Sequence, residues 1–291
     1  MATKIVKSVF RSNLFLGNIA IITGGGTGIG KSIAKELSVL GCKVVIASRK
    51  PRVLEECARV LNSELCEELV FPFPCNIRKE DEVKNLMHYT VSKFGKLDFL
   101  INNGGGQFIS PFSEINTKGW NAVVDTNLNG TYYCLREAYH AWMGKNGGSI
   151  VNIVVSNFNG MPGMSHSAAA RAGIINLTQT LALEWAENGI RINAIAPGCI
   201  YSESAAANYQ NYPNLFKDVV NLIPLKRTGT VEEVSALVCF LLSPAASFIT
   251  GDILKIDGAQ SLHRHSFYEP KDHTNSKPFT WQGVPFQPSK L

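Results

Sequence analysis

The stretch GNIAIITGGGTGIGKSIAKELSVLGCKVVIASRK, residues 17–50, decides the fold. Residues 19–22 form a wholly apolar run, as a strand that is buried on both faces requires. A glycine-rich turn at residues 23–30 follows, then a helical pattern that ends near Gly41, then a second apolar run at residues 44–47. This unit has the length of a right-handed parallel crossover, so it predicts a parallel α/β sheet.

The glycine-rich turn predicts a dinucleotide site. Glycines let the backbone approach a pyrophosphate, whose charge then lies against the N–H groups at the helix start. Because the turn follows a strand, opens a helix and precedes a second strand, a plain structural turn is the weaker alternative. We expect cofactor contacts from Thr23, Gly24, Gly26, Thr27, Gly28, Ile29 and Gly30.

The end of the second predicted strand indicates which dinucleotide binds. An NAD site would place Asp or Glu here for the ribose 2′-hydroxyl, whereas this chain has Ser48 and Arg49. Arginine offers a planar, permanently charged fork that suits a 2′-phosphate. The pair therefore predicts NADPH, with NAD as the alternative.

Composition excludes several classes of protein. The chain has 291 residues, of which 45% are hydrophobic, and its net charge of +5 is spread out without a dense basic block. Nucleic acid is therefore not expected as a partner. No apolar run reaches the roughly 18 residues of a membrane span. The seven cysteines lack metal-ligand spacing, so no metal is expected.

The remaining pattern completes one domain. Further strands are predicted at residues 69–73, 97–101, 149–155, 191–196 and 253–256. Helices are predicted at residues 51–65, 80–94, 113–144, 167–187 and 231–242. The prediction is a single doubly wound Rossmann domain, residues 18–261, with a parallel seven-stranded sheet and helices on both faces. Residues 1–17 form an N-terminal extension, and the proline-rich residues 262–291 form an irregular tail.

Several motifs together resemble the short-chain dehydrogenase/reductase family. They are the spacing Thr23-Gly24-x-x-x-Gly28-x-Gly30, the turn Asn102-Asn103-Gly104-Gly105-Gly106, the mid-helix Asn127 and the segment Pro197-Gly198-Cys199-Ile200-Tyr201-Ser202. The resemblance implies further cofactor contacts from Asn76, Ile77, Asn103, Gly104, Gly105, Arg171, Pro197, Gly198, Ile200 and Ser202. It also implies a homodimer or homotetramer in which the apolar helix 167–187 is buried on every side.

The catalytic residues of the family are largely replaced in this chain. The family's Tyr-x-x-x-Lys falls on Ser167 and Arg171, which leaves Asn127 as the only unchanged member of the usual set. Residues 102–108, 166–173 and 243–251 resemble the branch of peroxisomal trans-2-enoyl-CoA reductases, which has serine and arginine at these two positions. The resemblance implies NADPH-dependent reduction of trans-2-enoyl-CoA to saturated acyl-CoA.

This chemistry can proceed without the family's tyrosine. Hydride delivery to C3 of an enoyl thioester develops charge on the thioester oxygen, which needs aligned donors. We expect Ser167 to donate to that oxygen, and Arg171, which keeps its proton, to hold the nicotinamide ribose. Asn127 is expected to order a water, and Tyr201 or water to protonate C2. His166 is expected as a surface or capping residue.

The C-terminal tripeptide Ser289-Lys290-Leu291 predicts peroxisomal localisation, with the import receptor as a partner. The basic residues 1–16 faintly resemble a mitochondrial presequence, which is the alternative. Three other functions stay open: a 2,4-dienoyl-CoA reductase, a catalytically silent protein that binds NADPH or acyl-CoA, and a carbonyl reductase.

Overall fold

The computed structural model describes residues 8–156, 160–263 and 270–281, and the predicted import signal lies outside them. The described residues form one parallel sheet of seven strands in the order β3-β2-β1-β4-β5-β6-β7. The strands are β1 Ile19–Thr23, β2 Lys43–Ser48, β3 Val70–Pro74, β4 Phe99–Asn102, β5 Gly148–Ile153, β6 Ile190–Pro197 and β7 Ile253–Ile256. The predicted doubly wound sheet is confirmed, with its order reversal between β1 and β4.

Helices cover both faces of this sheet. They are α1 Gly28–Val39, α2 Pro51–Leu65, α3 Glu80–Phe94, α4 Thr117–Val124, α5 Gly130–Ala138, α6 Gly144–Asn146, α7 Ser165–Glu184, α8 Glu203–Asn208, α9 Leu215–Asp218 and α10 Val231–Leu242. Adjacent residues of β1 belong to different cores. Ile22 packs with Ile33 and Val238 on one face, whereas Ile21 packs with Leu86 and Leu135 on the other. This alternation explains why β1 has to be apolar throughout.

The predicted single helix at residues 113–144 is wrong in its detail. The structure begins it at Thr117, after Asn116 caps it by accepting from the Gly119 N–H. Two π-helical stretches, Asp125–Asn129 and Tyr139–Met143, then separate α4, α5 and α6. Because π-helical turns often mark functional positions, the location of Asn127 in the first stretch is informative.

Helix α7 is not buried on every side within the chain. Ala170, Ile174 and Leu181 pack inward, whereas Leu183 is 83% exposed on the outer face. A single chain covers only the inner face of this helix, so burial of the outer face depends on a second subunit. Contact with a second subunit through this face stays a prediction.

The segments that flank the predicted domain pack against it. Phe15 is buried and its ring meets Phe99 edge to face, with centroids 5.3 Å apart. Residues 270–281 contain no helix or strand, and the Phe279 carbonyl accepts from the Thr230 hydroxyl at 2.9 Å. The buried Glu36 accepts from Ser8 Oγ at 3.0 Å, and burial raises its pKa. The domain boundaries at residues 18 and 261 stay a prediction.

Candidate functional site

The backbone of two turns, residues 23–30 after β1 and residues 102–106 after β4, forms a concave site, here called the cradle, where the strand order reverses. Thr23 ends β1, and its hydroxyl accepts from the N–H groups of Asn103 and Gly104 at 3.0 and 2.8 Å. The Asn103 side chain in turn donates to the carbonyl oxygens of Thr23 and Gly24 at 3.0 and 3.2 Å. These bonds fix the glycine turn to the turn after β4, so both border the crevice in which such sheets bind ligands.

Glycine is required inside this turn. Gly24 has a φ of +65°, and a Cβ at residue 30 would lie 2.2 Å from the Gly24 carbonyl oxygen. Thr27 precedes α1 and makes no side-chain cap, which leaves the helix N-terminus open to an anion. A cleft of about 440 Å³ opens beside it, lined in part by Gly26, Thr27 and Gly28. The residues present therefore fit a dinucleotide.

The predicted adenosine-end residues lie at one edge of the sheet. Ser48 ends β2 and Arg49 is exposed beyond it. Asn76 follows β3, and its side-chain oxygen accepts from the N–H of Arg78 at 3.3 Å. Ile77 is buried and would touch a Cβ at residue 104 at 3.0 Å. The structure thus brings these residues to the carboxyl ends of the same neighbouring strands.

The segment after β6 reaches across to the glycine turn. The Pro197 carbonyl accepts from the Ser156 N–H at 3.0 Å, and the Gly198 N–H donates to the Ile256 carbonyl at 3.0 Å. Farther along, a backbone bridge joins Ile200 to Gly229. Ser202 then caps α8, and its Oγ would lie 3.3 Å from a Cβ at residue 28. Ser202 therefore borders the glycine turn, and Pro197, Gly198 and Ile200 lie on the segment that leads to it from β6.

Ser167 and Arg171 lie one turn apart on α7 and share a partner, Gln107. Ser167 is fully buried and donates from Oγ to Gln107 Oε1 at 2.7 Å. Arg171 Nη1 donates to the same oxygen at 3.2 Å and also to Ser167 Oγ. With its oxygen held twice, the Gln107 amide points its Nε2 toward residues 201–216, the expected substrate-side lid, and donates to the Tyr209 hydroxyl at 2.8 Å.

Sequence reasoning missed both Gln107 and Tyr209. Gln107 stands inside a block of residues that carries the family resemblance, so that block was the available signal. Tyr209 follows α8 in a segment with no local motif. Only the fold brings Tyr209 within hydrogen-bond distance of a residue 102 positions earlier.

Asn127 is held by the backbone next to Gln107. Its side-chain oxygen accepts from the Gly106 N–H, and its amide donates to the Gly106 carbonyl, both at 2.9 Å. A Cβ at residue 105 would lie 2.9 Å from both Asn127 Oδ1 and Arg171 Nη2. Asn127, Arg171 and Asn102 also line a chamber of about 10 Å³, roughly the space of one water molecule. This chamber is where the predicted ordered water would fit.

Burial changes the electrostatics of the Arg171 guanidinium. Its desolvation lowers the pKa to about 10, while the charge of Tyr209 acts in the opposite direction. The group therefore stays a cation at neutral pH. It supplies positive potential to a site from which water is largely removed, where such potential acts strongly.

Two other predicted positions differ from their expected surroundings. Tyr201 packs edge to face on Phe216 at 5.3 Å and lines the cleft beside the glycine turn. His166 is fully buried, its ring 4.3 Å from that of Phe108, and its Nδ1 accepts from the Ser167 N–H. The expectation of a surface histidine is wrong because the chain after β4 covers the start of α7, whereas the bond from the Ser167 N–H is of the kind that a capping residue accepts.

Among the described residues, no helix is long and apolar enough to span a membrane. The same part of the chain contains no group of three or more metal-ligating side chains.

Comparisons with known proteins agree with this geometry. Residues 24–259 match the family described as Enoyl-(Acyl carrier protein) reductase. A probable 2,4-dienoyl-CoA reductase of Bacillus subtilis is 40% identical over 85% of this chain and 98% of its own length. A peroxisomal 2,4-dienoyl-CoA reductase of Danio rerio is 33% identical over 87% of this chain and 85% of its own. The solved citronellol catabolism dehydrogenase of Pseudomonas aeruginosa superposes with a TM-score of 0.78 and 41% identity, covering 88% of this chain and 99% of that one.

The chain belongs to the short-chain dehydrogenase/reductase family of oxidoreductases. Members of this family bind a nicotinamide cofactor, which the cradle between β1 and β4 fits. The resemblance inferred from the sequence motifs is confirmed at the level of the family.

Proposed function

We propose that the protein is an enoyl-CoA reductase that uses NADPH to reduce the C2=C3 bond of trans-2-enoyl-CoA esters. The observation that carries the proposal is the Gln107 amide, whose oxygen is fixed by Ser167 and Arg171. One N–H of this amide donates to the Tyr209 hydroxyl, and the second is therefore a preorganised donor in front of α7. Such a donor suits the thioester oxygen, on which charge develops during conjugate reduction.

The geometry gives Ser167 a different role from the one its position suggests. Its hydrogen is engaged with Gln107 Oε1, and Arg171 donates to its oxygen. Ser167 therefore acts through Gln107, as a positioning residue. We propose that Gln107 contacts the thioester oxygen and that Arg171 supplies positive potential and holds the nicotinamide ribose. Asn127 orders the water of the adjoining chamber.

NADPH is the proposed cofactor because Ser48 ends β2 and Arg49 follows it, where the ribose 2′-phosphate would lie. The remaining predicted contacts are those of the glycine turn, the turns after β3 and β4, and the segment from Pro197 to Ser202. When bound, the cofactor supplies the hydride. The chain's own residues orient the acyl-CoA and stabilise the charge that forms on it.

A 2,4-dienoyl-CoA reductase is the second candidate. The bacterial and zebrafish relatives carry this activity in their names, which favours it. A dienoyl thioester has the same carbonyl oxygen at the end of its conjugated system. The Gln107 donor would therefore serve both reactions, and the two substrates differ in where hydride and proton are added.

One assay separates these candidates. The purified full-length protein is given NADPH with 2-enoyl-CoA, 2,4-dienoyl-CoA or 3-ketoacyl-CoA, and NADPH oxidation is followed in parallel. We expect the highest kcat/KM with 2-enoyl-CoA. A higher value with the dienoyl ester would favour the second candidate, and one with the ketoacyl ester would favour a carbonyl reductase. NADPH binding without any turnover would indicate a silent binding protein.

We further propose that the protein works in peroxisomes, a proposal supported by the C-terminal tripeptide and by the peroxisomal zebrafish relative. An N-terminal fluorescent fusion should reach peroxisomes, and the same fusion without Leu291 should stay in the cytosol. Delivery of a reporter to mitochondria by residues 1–16 alone would contradict this localisation.

A further inference from the structure

Reduction of an enoyl thioester needs a proton at C2, and the residues around Gln107 offer few sources. Ser167 donates its hydrogen to Gln107 Oε1, and the Arg171 guanidinium keeps its proton at neutral pH. Both polar groups of the Asn127 side chain are bound to Gly106. Ser156 donates to Asp257 at 3.0 Å. None of these groups is placed to release a proton to the substrate.

The Tyr209 hydroxyl differs from all of them. It accepts from Gln107 Nε2 at 2.8 Å, and within the described part of the chain its own hydrogen has no recorded acceptor. With the thioester oxygen bound to the Gln107 amide, as proposed above, the adjoining C2 would lie within a few ångströms of a phenol that is 2.8 Å from the same amide. On this basis we propose that Tyr209, carried by the lid, is the acid that protonates C2, an inference that rests on the proposed enoyl-CoA reductase function.

The surroundings of Tyr209 suit this role. Its ring packs near the buried Phe216, with centroids 6.5 Å apart, so the segment between α8 and α9 fixes the direction of the phenol. Arg171 and Tyr209 are both bonded to the Gln107 amide, so the guanidinium places a positive charge near the phenol. Tyr209 is only half-buried, which lets solvent return the proton.

Protonation of C2 completes the reduction of the enoyl group. One hydride, supplied by the reduced nicotinamide nucleotide, bonds to C3, and the electron pair of the C2=C3 double bond moves toward the thioester oxygen. The Tyr209 O–H bond breaks and its proton bonds to C2 as the C=O double bond re-forms. The acyl group is reduced, the nucleotide is oxidised, and the phenolate takes a proton from water.

Tyr209 is better placed than Tyr201, the other tyrosine considered as a proton donor, to protonate C2. Both rings pack near Phe216, but Tyr201 faces the cleft of the glycine turn, whereas Tyr209 reaches Gln107. The two tyrosines therefore provide a comparison inside one segment. Tyr212, which is 44% exposed on the same lid, is the matched control.

The test is Tyr209→Phe in the full-length protein, assayed with NADPH and trans-2-hexenoyl-CoA. We expect kcat to fall by about a hundred- to ten-thousandfold, because a positioned general acid contributes that much. KM and the NADPH dissociation constant, measured by the fluorescence of bound NADPH without substrate, should change less than about threefold. Tyr212→Phe should match the wild type.

A second measurement separates an acid from a lid contact. In deuterated water the wild type should place deuterium at C2 in one configuration, whereas Tyr209→Phe should give both, since water then protonates either face. If Tyr209→Phe changed only KM and still placed deuterium at C2 in one configuration, Tyr209 would merely hold the lid in place, and the proposal would be overturned. Full activity of Tyr209→Phe, with the loss in Tyr201→Phe instead, would also overturn it. The wild-type assay decides the proposed function separately.

Discussion

The glycine turn and the start of α7 both contact the segment after β4, yet they follow the family pattern to different degrees. The turn keeps its family glycines and an open helix N-terminus at Gly28. The start of α7 has Ser167 and Arg171 in place of the family's tyrosine and lysine, and Gln107 joins them from the turn after β4. The glycine turn, which is the proposed cofactor half, thus follows the family pattern. The start of α7, which is the proposed substrate half, contacts the Gln107 amide at the positions where the family has tyrosine and lysine.

This difference indicates which part of such a site tolerates substitution of its residues. A dinucleotide is held mostly by backbone groups, so the turn accepts few substitutions without losing its shape. The donor to a thioester oxygen only has to be aligned with that oxygen. A side chain from another segment can supply the donor if its neighbours fix its direction. Here Ser167 and Arg171 fix Gln107.

We expect the largest effect on kcat from a substitution in the proposed substrate half. Gln107→Glu keeps the length of the side chain and an oxygen for Ser167 and Arg171, but it replaces the donating amide by an acceptor. We expect kcat for 2-enoyl-CoA to fall about a hundred- to a thousandfold, the usual consequence of losing one preorganised donor. The NADPH dissociation constant should change little. Wild-type kcat in this variant would show that the donor lies elsewhere.

We expect a smaller effect, on NADPH affinity, from a substitution in the proposed cofactor half. Arg49→Ala removes the proposed contact with the 2′-phosphate and should weaken NADPH about ten- to a hundredfold, as loss of a charge-assisted hydrogen bond does. NADH affinity should be nearly unchanged, which serves as the internal control. Equal weakening of the two cofactors in fluorescence titrations would contradict the assignment of the 2′-phosphate to this residue.

The smallest effect sharpens the role of Ser167. If Ser167 donated directly to the substrate, Ser167→Ala would cost as much as Gln107→Glu. Because its hydrogen goes to Gln107 Oε1, which Arg171 also holds, we expect kcat to fall only about tenfold. Ser167→Thr keeps the hydroxyl and is the control. A thousandfold loss in Ser167→Ala would return the donor role to the serine.

Much of the fold could be predicted from the sequence alone. The apolar runs gave all seven strands of the described sheet to within a few residues, and the helix patterns gave the observed bounds of Pro51–Leu65, Glu80–Phe94 and Val231–Leu242. Patterns of period 2 and 3.6 are local, so neighbouring residues suffice to determine them. The π-helical interruptions were not predicted, because they depend on where individual backbone bonds shift.

The sequence by itself determined the dinucleotide cradle and the replacement of tyrosine and lysine by Ser167 and Arg171, since both are read from spacing along the chain. Only the tertiary structure decided which residues those two side chains contact. Gln107 lies 60 positions before Ser167, and Tyr209 lies 102 positions after Gln107. Their meeting depends on how β4, α7 and the lid pack together. No local pattern contains that information, because hydrogen bonds between distant segments require the folded arrangement that brings those segments together.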